Sequence, residues 1–400
     1  MDVLKGLVEP NDKRILMLVA DGLGGLPDES GKTEMESART PNLDELARVS
    51  SLGLVDPIGS GITPGSGPAH FALFGYDPVE HAVGRGVLEA LGSGLRVTDR
   101  DLCVRANFCS LDASTGKVVD RRAGRIPTAK NLELVARIAA KVKCIEDVEV
   151  ILRSGKEHRF VVVFRGPGLA QELSETDPQK DGKAPLAVRG LAPEAAKSER
   201  VVDEFLRSAS ALLKSEPVAN YFLMRGFSMI PRIEPMAERY GLKAACVAVY
   251  PMYRGLAQLV GMDILETGET WESELGTVQK HMGEYDFFFV HLKELDKMGE
   301  DANFAGKVQY LEKLDALLPR IRSMGFDVLV ITGDHSTPAV LGTHSWHPNP
   351  FLLWSPYVRQ EGASGFSERT CSRGQLGRMR ATEVMPLVLA NALKLRKFGA

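Results

Sequence analysis

Three histidines lie within one short segment that follows an apolar run, VLVITGDHSTPAVLGTHSWHPNP at 328–350. The run predicts a buried strand that delivers the adjacent pair Asp334 and His335, and His344 follows in the next loop. Carboxylate and imidazole groups at a strand end offer mixed oxygen and nitrogen donors, which suit Zn²⁺ or Mn²⁺ better than Ca²⁺. A purely structural Asp-His pair is the alternative interpretation, but the second histidine nearby favours a metal site.

Two other segments carry candidate polar groups. Asp21 ends the apolar run in LMLVADGLGG, at the strand end where open α/β folds place ligands. Ser66 stands between two glycines just ahead of a helical run in TPGSGPAHFALFGYDP, where backbone N–H groups favour a phosphate. The spacing matches neither a P-loop nor a GxSxG elbow, so neither an ATPase nor an esterase is indicated. A loop-starting aspartate and a simple N-cap serine are the alternatives.

A third pair of carboxylates, Asp296 and Glu300, lies in FFFVHLKELDKMGEDANFAGK at 287–307. Residues at this spacing share one face if the segment is helical. Such pairs usually lie on the solvated surface of a helix. This pair is a candidate for metal binding only because the other segments also carry candidate ligands.

Composition sets the background for these candidates. The 400 residues are 44% hydrophobic and 25% charged, which is typical of a folded globular protein. Lys and Arg total 49 against 52 for Asp and Glu, so the net charge of −3 argues against nucleic-acid or anionic-membrane partners. Five cysteines without CxxC spacing, no signal-peptide pattern at the N-terminus and no apolar run near the roughly 18 residues of a membrane span predict a cytoplasmic protein.

The elements that must position the candidates read as an α/β fold. Short, continuously apolar runs at 14–20, 104–111, 221–227, 245–250, 286–292, 327–333 and 351–354 predict buried strands of a mainly parallel sheet with helices on both faces. Residues 115–215 differ, with β-rich runs and a polar stretch, and predict an inserted smaller lobe. The core is then 1–114 and 216–400; a long excursion within one domain is the alternative.

Seven motifs in this order resemble one known family: ADGLGG, TPGSGPAHFALFGYDP, DRRAGR, LMRGF, HLKELD, GDHSTP and GTHS. They look like the archaeal-type 2,3-bisphosphoglycerate-independent phosphoglycerate mutases of the alkaline phosphatase superfamily. The resemblance implies a three-layer αβα alkaline-phosphatase-like core with an inserted α+β lobe. It also implies two divalent cations, with Mn²⁺ expected and Mg²⁺ or Zn²⁺ as alternatives, a phosphorylated serine and no 2,3-bisphosphoglycerate.

Carried over by position, the resemblance assigns two sets of metal ligands. The first is Asp21, Ser66, Asp334 and His335; the second is Asp296, His344 and Glu300. The family pattern DEAGHDG has a histidine where this chain, with DKMGEDA, has Glu300. An anionic oxygen in place of a nitrogen favours Mn²⁺ or Mg²⁺ over Zn²⁺. Alternatively, the second site is weak or vacant, or His291 or His347 supplies the nitrogen.

The implied reaction converts 3-phosphoglycerate into 2-phosphoglycerate through phospho-Ser66, with water excluded. We expect the inserted lobe to cover the substrate and its turn, Asp120 to Arg125, to bind it through Asp120, Arg122 and Arg125. Further candidates for substrate binding are Arg225, Lys243, Arg254 and Lys293, with Arg225 the first choice; an ordinary surface cation is the alternative for each. A metal-dependent phosphatase, another phosphomutase or a non-catalytic binder of phosphorylated metabolites remains a rival. The sequence does not indicate the oligomeric state.

Overall fold

A computed structural model describes residues 3–81 and 83–399. Within them the strands are β1 (Ile15–Ala20), β2 (Ser51–Asp56), β3 (Asp101–Leu111), β4 (Val118–Asp120), β5 (Cys144–Ile145), β6 (Val148–Ser154), β7 (Arg159–Arg165), β8 (Tyr221–Ser228), β9 (Ala244–Ala248), β10 (Asp263–Ile264), β11 (Phe287–Leu292), β12 (Val328–Thr332), β13 (Asn349–Trp354) and β14 (Gly377–Arg380).

The helices in the same residues are α1 (Glu34–Ser37), α2 (Pro41–Arg48), α3 (Ser66–Leu73), α4 (Arg85–Gly92), α5 (Thr128–Lys141), α6 (Ala196–Ala211), α7 (Met236–Tyr240), α8 (Pro251–Leu259), α9 (Trp271–His281), α10 (Glu294–Glu300), α11 (Phe304–Ser323), α12 (Glu368–Cys371) and α13 (Val384–Asn391). Short 3-10 turns cover Lys5–Leu7, Ala123–Arg125, Pro193–Ala195 and Ala381–Glu383. Among these described helices, none combines the length and the apolar character that crossing a bilayer requires.

The chain divides into two compact units: unit 1 is Met1–Ala82 with Ile233–Ala400, and unit 2 is Val83–Arg232. Unit 2 extends beyond the 115–215 lobe expected from the sequence at both ends. The reason is that β3 pairs antiparallel with both β7 and β8. The apolar runs 104–111 and 221–227 therefore belong to the unit 2 sheet, and their assignment to the main parallel sheet is wrong, since a buried run does not specify its partner strand.

Unit 1 is built on one sheet, whose eight strands among the described residues follow the order β10-β9-β11-β1-β12-β13-β2-β14. From β10 to β12 all neighbours are parallel, β13 runs antiparallel to β12 and β2, and β14 is parallel to β2. Every residue of β1, β11 and β12 is buried. A parallel sheet covered on both faces requires such unbroken apolar strands, so the predicted mainly parallel α/β core is confirmed.

Helices cover both faces of this sheet. Alternate side chains of a strand point to opposite faces, and Leu18 of β1 shares one apolar cluster with Leu43 of α2 and Leu314 of α11. On the other face the ring of Phe289 in β11 meets Phe74, at the end of α3, edge-on at 4.9 Å between centroids. Both layers of helices thus hold the strand ends in fixed positions.

Unit 2 has a separate core under an antiparallel sheet of order β4-β3-β7-β6-β5, with β8 also paired to β3. Phe108 of β3 stacks on Phe160 of β7 at 4.5 Å, and Phe222 of β8 packs against both Phe160 and Phe205 of α6. Aromatic side chains of this kind bury large apolar areas, so the unit has the core of a compact α+β domain.

Candidate metal centre

Three adjacent parallel strands bring the candidate residues to one edge of the unit 1 sheet. β1 lies between β11 and β12 in parallel register, so the carboxyl ends of all three strands meet. Asp21 follows β1, Lys293 follows β11, and Asp334 and His335 come after β12. The backbone N–H of Gly22 donates to Asp334 Oδ1 at 3.2 Å and joins two of these loops.

We call Asp21, Ser66, Asp334 and His335 the first ligand group. His335 Nε2 lies at its centre, 3.3 Å from Asp21 Oδ1, 3.2 Å from Asp334 Oδ2 and 3.1 Å from Ser66 Oγ. Ser66 is the first residue of α3, and Gly65 precedes it in an extended conformation. The Ser66 hydroxyl therefore stands among three side chains of metal-ligand type at the start of a helix.

The first ligand group has the unpaired atoms that a cation would satisfy. Asp21 Oδ1 and Asp334 Oδ2 are buried and, within the described residues, accept no hydrogen bond. Burial, together with the charge of Asp21, raises the pKa of Asp334 well above its usual range. Buried carboxylate oxygens without partners are costly, and three oxygens with one nitrogen form a donor set that fits a divalent metal.

The second ligand group is Asp296, His335 and His344, whose candidate ligand atoms lie within 4.8 Å of one another. His344 Nε2 is 3.4 Å from Asp296 Oδ1, while His344 Nδ1 donates to the carbonyl of Pro64. Burial would raise the pKa of Asp296, but the hydrogen bond from His344 and the charge of Lys293 lower it to about 2. The Asp296 carboxylate is thus ionised at neutral pH.

Thr337, which the sequence did not single out, decides which ring nitrogen of His335 carries the proton. The Thr337 hydroxyl donates to Asp296 Oδ1 at 2.7 Å, so it can only accept from His335 Nδ1 at 3.0 Å. His335 Nδ1 then carries the proton, and Nε2 presents its lone pair to the first ligand group. Burial lowers the pKa of His335 to about 4, which keeps this lone pair free at neutral pH.

Glu300 lies at the rim of the second ligand group, one helical turn after Asp296 on α10. Its Oε1 is 3.8 Å from His344 Nε2, and its side chain is 55% exposed. Of the two alternative nitrogen donors, His291 lies at the first group instead, with Nε2 3.3 Å from Asp21 Oδ2. His347 contacts Ser345 Oγ through Nδ1 at 3.1 Å. Neither histidine is a member of the second group among the described residues.

Lys293 connects the two groups. Its Nζ donates to Asp21 Oδ2 at 3.0 Å and also to Asp296 Oδ2. Burial alone would lower the pKa of Lys293, but the two carboxylates more than offset it and hold the pKa above its usual range. Tyr253, on α8, also donates to Asp21 Oδ2. No spacing in the sequence marks Tyr253, because its role depends on packing between α8 and the strand end.

Comparisons with known proteins identify the family of this chain. The model of the family described as 2,3-bisphosphoglycerate-independent phosphoglycerate mutase matches residues 47–219. A relative from Aquifex aeolicus (strain VF5), named a probable 2,3-bisphosphoglycerate-independent phosphoglycerate mutase, is 51% identical over 408 residues, which is 100% of both chains. The chain belongs to this phosphoglycerate mutase family. The resemblance inferred from the seven motifs is therefore confirmed.

Two solved structures are similar to this chain over nearly its whole length. The PH0037 protein from Pyrococcus horikoshii has a TM-score of 0.83 at 29% identity and covers 98% of this chain and 100% of its own. The cofactor-independent phosphoglycerate mutase from Thermoplasma acidophilum DSM 1728 has a TM-score of 0.74 at 29% identity and covers 95% and 100%. The chain is thus an enzyme of the isomerase class to which phosphoglycerate mutases belong.

Two basic residues of unit 1 that we expected to bind the substrate make their described contacts outside the ligand groups. Lys243 precedes β9, at the amino edge of the parallel sheet, and its Nζ lies 4.8 Å from the ring centroid of Tyr285. Arg254 on α8 forms an ion pair with Glu266 at 2.5 Å. The structure therefore joins Lys293 alone, of these three cations, to the metal centre.

The remaining candidates for substrate binding lie in unit 2. Arg225 on β8 pairs with Glu175 at 3.3 Å and lies 3.6 Å from Asp177. Asp120 accepts hydrogen bonds from the backbone of Arg122 and Gly124, at 2.7 and 2.6 Å.

The turn that Asp120 stabilises has an unusual backbone. Ala123, Gly124 and Arg125 all have positive φ, of 47°, 62° and 53°. For residues with a side chain this conformation costs on the order of 1 kcal/mol each and needs outside support. The buried Ala123 and the Asp120 hydrogen bonds provide that support, and Arg122 and Arg125 are left exposed.

Proposed function

We propose that this protein interconverts 3-phosphoglycerate and 2-phosphoglycerate by phosphoryl transfer through Ser66, without 2,3-bisphosphoglycerate. The position of Ser66 Oγ, 3.1 Å from His335 Nε2 and among the unpaired carboxylate oxygens of the first ligand group, carries the proposal. The Ser66 Oγ–P bond forms as the Oγ–H bond and the substrate O–P bond break, and the leaving glycerate oxygen takes up a proton. The glycerate then takes the phosphoryl group back on its other hydroxyl, and Ser66 Oγ is released.

Two divalent cations are assigned to the two ligand sets, with Mn²⁺ as the first choice of metal. Asp21, Ser66, Asp334 and His335 would hold one; Asp296 and His344 of the second ligand group, together with Glu300 at its rim, would hold the other. Such cations lower the pKa of a bound hydroxyl and neutralise charge on phosphoryl oxygens. The protein itself holds the Ser66 hydroxyl at the start of α3, keeps His335 Nε2 unprotonated through Thr337, and places the Lys293 ammonium group beside both carboxylates.

The substrate carboxylate or phosphate is assigned to the turn at Asp120–Arg125 of unit 2. The support is local: a strained left-handed backbone, fixed by Asp120, leaves two arginines exposed on one turn. Arginine binds carboxylate and phosphate with paired hydrogen bonds. Arg122→Ala is expected to raise KM for 3-phosphoglycerate about 10- to 100-fold, since hydrogen bonds between charged groups contribute about 1.5–3 kcal/mol. Arg153→Ala, at an exposed arginine of β6, should leave KM unchanged.

A direct assay tests the reaction. The protein is incubated with 3-phosphoglycerate and Mn²⁺, without 2,3-bisphosphoglycerate, and the products are followed by ³¹P NMR. We expect 2-phosphoglycerate without free phosphate, no isomer from Ser66→Ala, and normal turnover from Ser60→Ala, which removes a hydroxyl from the preceding loop. Stoichiometric free phosphate without isomer would show a phosphatase instead, and full activity of Ser66→Ala would remove Ser66 as the nucleophile.

A further inference from the structure

The two carboxylate oxygens of Asp21 have different surroundings. Oδ2 accepts from the Tyr253 hydroxyl and, at 3.0 Å, from Lys293 Nζ, and it lies 3.3 Å from His291 Nε2. Oδ1 accepts no hydrogen bond in the described residues and faces His335 Nε2. Donors on one oxygen and none on the other fix the orientation of the whole carboxylate.

Tyr253 is itself held rigidly. Its side chain is fully buried, and its ring stacks on His291 with 3.6 Å between centroids and 28° between planes. The ring of His70 lies 4.8 Å away on α3, and His70 Nδ1 donates to the backbone carbonyl of Ser66 at 2.8 Å. The rings of His70 and His291 also lie 5.2 Å apart, so the three rings form one cluster that connects β11, the neighbour of the strand that Asp21 follows, to the first turn of the helix that carries Ser66.

The donors on Oδ2 are not equivalent. Lys293 is shared, because its Nζ also donates to Asp296. Tyr253 is a neutral donor, and of the Asp21 and Asp296 carboxylates its described hydrogen bond is to Asp21. The packing of its ring against His291 and His70 sets the direction of its hydroxyl group. Mutation of a residue that hydrogen-bonds to a metal ligand typically changes metal affinity or activity by about 10- to 100-fold.

We propose that Tyr253 is a positioning residue that anchors Asp21 Oδ2, so that Oδ1 is presented to a cation together with Asp334 Oδ2 and Ser66 Oγ. This inference rests on the metal site of the proposed function. Tyr253 acts on the first ligand group through its hydrogen bond to Asp21, and its hydroxyl also lies beside that of Ser66. The packing of α8 sets the position of the Tyr253 hydroxyl, and this hydroxyl sets the orientation of Asp21 in the first ligand group.

Mn²⁺ binding to the metal-free full-length protein, measured by the loss of the free-ion EPR signal, tests this role. We expect the higher-affinity Mn²⁺ site to bind its ion about 10- to 100-fold more weakly in Tyr253→Phe than in the unmodified protein. Tyr76→Phe is the matched control, because Tyr76 is equally buried and its hydroxyl donates to the backbone carbonyl of Glu234 at 2.7 Å. Excess Mn²⁺ should restore kcat in Tyr253→Phe, which a misfolded core would not allow.

A second variant keeps the test decisive if Tyr253→Phe folds poorly. 4-Aminophenylalanine at position 253 retains the ring and returns an N–H donor, so recovered Mn²⁺ affinity supports the proposal. Equal Mn²⁺ affinity in Tyr253→Phe and the unmodified protein would overturn it, as would an aminophenylalanine variant as weak as a phenylalanine one. Failure of the unmodified protein to bind Mn²⁺ at all would instead reject the metal site of the proposed function.

Discussion

The side chains of the metal centre carry an excess of buried negative charge. Asp21, Asp296 and Asp334 are each at most 1% exposed, and Lys293 is the cation that contacts the first two. Buried charges without partners are far more costly than exposed ones, so the site favours either protons or cations. The raised pKa of Asp334, caused by burial and by the charges of Asp21 and Asp296, reflects this competition. A divalent cation would relieve the repulsion that raises the pKa of Asp334.

Glu300 gives a prediction about metal preference. Glu300→His replaces a carboxylate whose Oε1 is 3.8 Å from His344 Nε2 by an imidazole, so the second site gains a nitrogen donor. We expect the Zn²⁺ affinity to rise relative to the Mn²⁺ affinity by about 10-fold, because Zn²⁺ prefers nitrogen to oxygen donors more strongly than Mn²⁺ does. Competition between the two metals, read by metal analysis of the dialysed protein, measures the ratio.

The matched control for this metal competition is Asp301→His, which places the same imidazole at the next carboxylate, the C-cap of the same helix. An unchanged Zn²⁺ to Mn²⁺ ratio in Glu300→His, or an equal change in both variants, would remove Glu300 from the ligands.

Glu274 gives a prediction about pH and stability. This residue of α9 is 2% exposed, and burial, with the charge of Glu294, raises its pKa to about 9, although Lys313 opposes the shift. The folded protein therefore holds a proton that the unfolded chain releases near pH 4.5. The stability that this proton contributes is complete below pH 4.5 and is lost as the pH rises through about 9.

The measurement is urea unfolding between pH 6 and 8. We expect the free energy of unfolding to fall with pH by up to about 1.4 kcal/mol per pH unit through this one group, and Glu274→Gln to remove that slope. Glu272→Gln changes an exposed carboxyl on the same helix, whose pKa is lowered, and should leave the slope as it is. A slope that survives in Glu274→Gln would show that other groups cause it.

At the scale of the elements, two loops that carry ligands are locked together. A Cβ on Gly24, after β1, would lie 2.0 Å from Ser336 Oγ, after β12, so only glycine fits there. Lys307 of α11 is fully buried, and its Nζ donates to the carbonyls of Gly24 and Thr337 at 3.0 and 2.9 Å. Glu34 supplies the opposite charge at 3.7 Å. Lys307 thus connects the loops of the two ligand groups through hydrogen bonds to both.

Removal of the Lys307 ammonium group should destabilise unit 1. Lys307→Met leaves Glu34 buried without its cation, and we expect a loss of about 3–5 kcal/mol in the free energy of unfolding. Lys313→Met removes a partly exposed lysine of the same helix that pairs with Glu272, and the loss in the free energy of unfolding should be at most about 1 kcal/mol. Chemical denaturation of the two variants provides the comparison. Equal losses would mean that the buried ion pair adds nothing specific.

The sequence predicts elements better than their partners. The runs that became β1, β11 and β12 are recognisable because strands buried on both faces must be continuously apolar, and Asp21 and Asp334 follow directly. The runs at 104–111 and 221–227 look the same, yet they pair in unit 2. Thr337 and Tyr253 were missed for a related reason: each acts through a hydrogen bond to a residue distant in sequence. Such contacts leave no local pattern.

The whole molecule separates the proposed chemistry between two units with separate cores. All residues of both ligand groups lie in unit 1, whereas Asp120, Arg122, Arg125 and Arg225 lie in unit 2. Each unit has its own buried apolar cluster. A cation that binds the folded ligand groups stabilises the unit that forms them, so metal removal should act on the two units differently.

Hydrogen exchange measured by mass spectrometry, with and without EDTA, tests this difference. At a free Mn²⁺ concentration about 100 times the dissociation constant, binding stabilises the folded site by about 2.7 kcal/mol. EDTA should therefore speed exchange in peptides from β1, β11 and β12 and leave β3 and β7 unchanged. Asp21→Asn, which weakens the first ligand group, should reduce the response to EDTA. Equal acceleration in both units, or a full response in Asp21→Asn, would contradict a metal centre built by unit 1 around Asp21.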